Sequence, residues 1–119
     1  MNYKDLDVFK NSHKIVLEIY KITNKYPKEE KYRLIDQMVR SAYSIPSNIV
    51  EGNSRNTTKE YINYLYISRG SINELKYFLL LSKDLNYINI DEFSRLKESC
   101  ILIAKQLNGL INSLKKKLK

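Results

Sequence analysis

The chain has 119 residues, a formal net charge of +8, one cysteine and no tryptophan. That length suits one domain with its own hydrophobic core, expected to span residues 1–119. A lone thiol excludes an internal disulfide, no Cys/His cluster has zinc spacing, and no apolar run approaches the roughly 20 residues of a membrane span.

The N-terminal Met-Asn-Tyr-Lys-Asp-Leu is polar and lacks the apolar core of a secretory signal, so the expected location is a reducing cytoplasm. The charge permits a polyanionic partner without specifying a fold. Half of the excess, +4, falls in residues 89–119.

Apolar residues recur at steps of three and four throughout, and hairpin signals are absent. The first predicted helix presents Leu6, Phe9, Val16, Ile19, Tyr20 and Thr23, with Asp5 or Asp7 as its cap, His13 half-buried, and Tyr26-Pro27 as its end. The second starts near the acidic Lys28-Glu29-Glu30, presents Leu34, Met38, Ala42, Ile45 and Ile49, and stops at Gly52-Asn53-Ser54. Pro46 interrupts it. A helix-interior proline costs about 3 kcal/mol and frees the carbonyl of Ala42, so a kink repaired by Ser44, Ser47 and Asn48 is expected.

The third helix opens on Thr57 and Glu60 at capping-box spacing. It presents Tyr61, Leu65, Ser68, Ile72, Leu75, Leu79 and Ser82 and ends near Leu85-Asn86. Gly70 inside it is expected to let another helix approach closely. The fourth follows Asp91 as cap, presents Phe93, Leu96, Cys100, Ile103, Leu107, Ile111 and Leu114, and closes on lysines. Cys100 reads as a buried, inert thiol.

Four long helices joined by short connections predict an all-α fold, an antiparallel up-down-up-down four-helix bundle. Ile15, Leu17, Ile62, Ile67, Leu80, Leu81, Ile101 and Leu102 lie off the main faces. They predict a second buried face, best explained by self-association.

On helical spacing Ser41, Ser44, Asn48, Glu51 and Arg55 form one polar stripe, and Ser68, Ser71 and Glu74 a shorter one. A hydrogen-bonded network between the two helices is one reading, a ligand site the other. Glu51 and Glu74 are placed to meet across helices. No catalytic residue, cofactor or metal is expected: His13 has no nucleophile, and Glu-x-x-His pairs and phosphate-binding glycine patterns are absent. Ten tyrosines suit core margins and subunit contacts, and also stacking on unpaired bases.

The run Leu34-x-x-Gln37-x-x-Arg40-Ser-Ala-x-Ser44-Ile-Pro-Ser-Asn48-Ile-Val-Glu51-Gly52-x-x-Arg55 resembles the signature of the four helix bundle protein family, also called the 23S rRNA intervening-sequence proteins. Asp5 to Phe9, Glu60 to Leu75 and Leu85 to Ile88 extend the resemblance over nearly the whole chain, with Phe9, Tyr26 and Val50 as conservative departures. The resemblance implies a four-helix bundle assembled as a homopentamer, without enzymatic activity. It also implies relatives encoded within sequences that interrupt bacterial 23S rRNA genes. A more distant likeness is to the accessory variability protein of diversity-generating retroelements, which partners a reverse transcriptase and nucleic acid.

Two partners therefore stay open beside self-association: structured RNA or another nucleic acid, and a protein held by an adaptor. Arg40, Arg55, Arg69 and the run Lys115, Lys116, Lys117, Lys119 are the candidate phosphate contacts. The lysine run also reads as a solvated helix end, and the arginines as partners of Glu51 or Glu74.

Overall fold

The computed structural model describes residues 2–118. Helices α1 (Asp7–Thr23), α2 (Leu34–Asn53), α3 (Thr58–Asp84) and α4 (Ile90–Lys116) account for nearly all of them. Each helix packs on its sequence neighbour, and α4 closes the ring on α1. This is the expected all-α up-down-up-down bundle, 49 Å long and 25 × 20 Å across.

The predicted faces form the core. Ile19, Met38, Ile45, Leu65, Leu75 and Ile103 are completely buried. Ile15 and Ile62, read from sequence as off-face, belong to this core, whereas Leu17, Ile67, Leu80, Ile101 and Leu102 are 40% to 57% exposed. His13 is exposed rather than half-buried, with its ring stacked on Phe9.

The helix boundaries correct several expectations. Lys28–Glu30 form a separate 3-10 turn, and Arg33, at φ −117 and ψ −106, breaks the path before α2. The Tyr87 hydroxyl donates to Glu30 at 2.8 Å, tying that turn to the α3–α4 connection. Neither Asp5 nor Asp7 caps α1; Leu6 occupies that position, and Asn2 instead caps the short turn Tyr3–Asp5. Asn89 rather than Asp91 caps α4, through a full capping box in which the Glu92 carboxylate accepts the Asn89 N–H. That bond comes first, and the Lys25 ammonium second, in holding the Glu92 carboxyl below its ordinary range. Thr57 caps α3 as expected. The helix ends with Asn86 at φ 65, the left-handed position that asparagine tolerates. There the Tyr87 and Asn86 N–H groups return to the carbonyls of Ser82 and Lys83.

The two glycines trade roles. A Cβ on Gly52 would lie 2.8 Å from Tyr61 Cδ1 and 2.9 Å from Tyr64 Cβ, so α2 and α3 approach closely here. A Cβ on Gly70 would meet nothing within 4 Å. Gly70 therefore permits no close approach, and the expectation for it is overturned.

Cys100 is fully buried, and burial pushes its thiol up to about 12 despite the nearby Lys76 ammonium. The folded protein is expected to resist iodoacetamide at pH 8 and to react stoichiometrically after denaturation. Fast labelling of the native protein, followed by mass spectrometry, would contradict that placement.

Candidate nucleic-acid interface

The polar stripe on α2 meets its counterpart on α3 as a seam. The Ser41 hydroxyl donates to the Glu74 carboxylate, and the Ser71 hydroxyl donates to Ser44 Oγ at 2.8 Å. Asn48 Nδ2 donates to the Ser44 carbonyl at 2.8 Å and to its hydroxyl at 3.0 Å. The buried Ser68 hydroxyl donates to the Ile45 carbonyl at 2.9 Å. These bonds bracket Pro46, and α2 runs unbroken past it.

Glu51 and Glu74 do not meet: Glu51 takes Arg55 and Glu74 takes Ser41. The seam satisfies its own donors and acceptors, which is what a register-fixing device requires. Ser41 and Ser68 are buried, Ser44, Asn48 and Ser71 are half-buried, and Glu51 and Glu74 are exposed.

The candidate cations separate in space. Arg40 pairs with Asp36 one turn away on α2, and this bond raises its already high pKa. Arg55 is held at the α2–α3 junction by Glu51 and the Tyr64 hydroxyl, its guanidinium 4.7 Å from the Tyr64 ring centre. Arg69 and Lys115 come together on the opposite flank of α3. They lie 4.8 Å and 5.4 Å from the centre of the Tyr66 ring, and Arg69 also donates to Asn108 Oδ1 at 3.1 Å. Lys116 and Lys117 are exposed at the end of α4, and Lys119 lies outside the described residues.

Arg69 and Lys115 begin a row of cations along the groove between α3 and α4. Lys76 follows one heptad after Arg69, beside Cys100, and Lys83 one heptad later. At the far end Lys83 and Lys97 lie 4.8 Å and 5.7 Å from the Phe93 ring centre. From Lys97 to Lys115 the groove spans about 27 Å at 1.5 Å per residue. Cation–π contact of this exposed kind contributes about 0.5–1 kcal/mol each, which offsets some of the repulsion among the gathered cations. Against the Phe93 ring is a hollow of about 370 Å³ lined by Asn73, Lys76, Tyr77, Leu80, Phe93 and Lys97.

The other three seams differ. The α1–α4 seam is laced by Lys25–Glu92, Arg95–Glu18 and the Asn11–Gln106 hydrogen bond. The α2–α3 seam is the serine network. The α1–α2 seam is largely apolar, with a cavity of about 510 Å³ where Tyr20, Ile35 and Val39 meet. Among the described residues, the ion pair recorded on the α3–α4 flank is Lys83 with Asp84 at 3.6 Å.

Sequence reasoning found Arg69 and Lys115 but missed Lys76, Lys83, Lys97, Asn73, Tyr77 and Phe93 as members of one surface. The step of seven from Arg69 through Lys76 to Lys83 was the available signal, since seven residues are close to two helical turns.

The family model described as 23S rRNA-intervening sequence protein matches residues 4–109. The chain belongs to that family. A crystal structure of a protein of unknown function from the S23 ribosomal protein family of Bacteroides thetaiotaomicron is similar at a TM-score of 0.79. It is 26% identical, over 87% of this chain and 97% of that one. No match was found among curated proteins. The chain thus joins this family membership to a four-helix fold. Among the described residues no helix is long and apolar enough to cross a membrane.

Proposed function

We propose that this intervening-sequence family member is a non-enzymatic, basic, cytoplasmic homo-oligomer that binds structured RNA along its α3–α4 groove. One observation supports the reading: Arg69, Lys76, Lys83, Lys97 and Lys115 lie along the α3–α4 flank, while Glu18 and Glu92 pair with Arg95 and Lys25 on the α1–α4 seam. Such a surface gathers phosphates and releases their counterions. Lys116 and Lys117 extend it past the end of α4. Arg40 and Arg55 contribute through the overall field, since each is engaged by a carboxylate.

Self-association is supported by the α1–α2 seam. Leu17 and Tyr20 on α1, and Tyr43 on α2, are 43% to 57% exposed, and Tyr20 also lines the cavity between these helices. Covering them with a second copy leaves the α3–α4 groove facing outward, and a ring of five copies would carry about +40. Sedimentation is expected to show an oligomer. A monomer would leave that apolar face to a different protein and favour the adaptor reading, in which this chain scaffolds a nucleic-acid enzyme.

Binding of an RNA hairpin and of a DNA duplex of equal length, titrated from 50 to 300 mM salt, tests the main reading. Tight hairpin binding with a steep negative salt slope, and weaker duplex DNA binding, is the expected result. Affinity that vanishes for both at physiological salt would reject it.

A further inference from the structure

The α3–α4 groove offers more than charge. The hollow of about 370 Å³ against Phe93 lies at the lower end of the size range for small-ligand sites. Its lining is divided by chemistry: Tyr77, Phe93 and Leu80 supply apolar surface, Asn73 an amide donor and acceptor, and Lys76 and Lys97 two ammonium groups.

Tyr77 is 57% exposed and Leu80 40% exposed, so neither is held in place by a need to fill the core. The Phe93 ring is already flanked by Lys83 and Lys97, whereas the Tyr77 ring meets Phe78 at a centroid distance of 5.9 Å and stays more than half open to solvent. The open aromatic surface and the amide thus lie beside the Lys83–Phe93–Lys97 cluster, whose cations suit phosphates.

We infer that this hollow receives one unpaired base of the bound RNA, stacked on Tyr77 against Leu80 and Phe93, with Asn73 on the base edge and Lys76 and Lys97 on the flanking phosphates. The inference rests on the RNA-binding reading and sharpens it. A duplex keeps its bases stacked on one another, so only a loop, bulge or single strand fills the hollow. A protein partner fits less well, because two lysines at the rim of an aromatic hollow match a base between phosphates in both shape and charge.

The test uses the full chain and two RNAs of equal length: a hairpin with 2-aminopurine in its loop and a blunt duplex. The hairpin should bind more tightly, and its 2-aminopurine fluorescence should be quenched on binding. Tyr77→Ala should weaken hairpin binding about tenfold and abolish the quenching, since base stacking on an aromatic side chain contributes on that scale. Duplex binding should be unchanged, and Tyr77→Phe should behave as the parent. The exposure of Tyr77 keeps the fold intact, which circular dichroism would verify.

Equal affinity for hairpin and duplex, or quenching that survives Tyr77→Ala, would overturn the base pocket while leaving the groove as a phosphate track. Failure of the parent protein to bind either RNA would overturn both.

Discussion

The triple variant Arg69→Glu, Lys76→Glu and Lys97→Glu is expected to lose about a hundredfold in affinity for a structured RNA at 100 mM salt. Each reversed charge removes a phosphate contact, and each contact contributes about 0.7 to 0.9 to the slope of log affinity against log salt. The slope should therefore flatten by about 2 or more, which separates lost phosphate contacts from a nonspecific drop in affinity. Arg40→Glu is the control. Its pair with Asp36 is exposed, so its loss should leave the fold intact and change binding by about twofold at most. Fluorescence anisotropy across the salt series measures both effects. A triple variant that is folded and binds like the parent would remove the α3–α4 groove from the account, and a strong effect of Arg40→Glu alone would move the interface to α2.

The second large effect concerns packing. Gly52→Ala is expected to destabilise the bundle by about 2–3 kcal/mol, because the new methyl meets the Tyr61 ring and the Tyr64 Cβ at under 3 Å. Tyr61 Cδ1 can swing slightly, but the Tyr64 Cβ and the Tyr61 carbonyl, 3.2 Å away, move only with the backbone of α3. The four residues Ser54 to Thr57 joining α2 to α3 leave little slack for that shift. Gly70→Ala should do the opposite and stabilise by about 0.5–1 kcal/mol, since it fills open space and removes the conformational cost of a mid-helix glycine. Urea denaturation of the two variants gives both signs in one experiment. A neutral Gly52→Ala would mean that α2 and α3 sit farther apart than described.

These two results bear on different parts of the molecule and should add without coupling, because Gly52 lies on the α2 side of α3 and the groove on its α4 side. Strong loss of RNA binding in Gly52→Ala at a temperature where it remains folded would show that the α2–α3 spacing controls the groove.

The four helices, most of the residues that face inward and the serine stripes that find each other across α2 and α3 were legible in the sequence. These follow from periodicity. A side chain's angle around its own helix decides whether it meets the core, and Ile45, Leu65 and Ile103 are buried for that reason. The pattern Arg40 to Arg55 likewise carried the family resemblance before any packing was known. Local turn chemistry was read less well. The break at Arg33 and the choice of Asn89 over Asp91 as cap depend on how the chain leaves one helix and enters the next, which the spacing of apolar residues does not encode.

Packing settles which flanks face each other. Periodicity places Arg40, Arg69 and Lys115 outside the core but is silent on their neighbours. Arg69 and Lys115, forty-six positions apart, meet on Tyr66 because α4 packs beside α3, whereas Arg40 finds Asp36 on its own helix. The same ignorance exchanged the glycines: Gly70 looked like a contact because it interrupts a helix, yet closeness depends on what stands opposite, and only Gly52 has a partner helix there. A helix carries its inward face in its own sequence; its grooves are made jointly with whichever helix packs alongside.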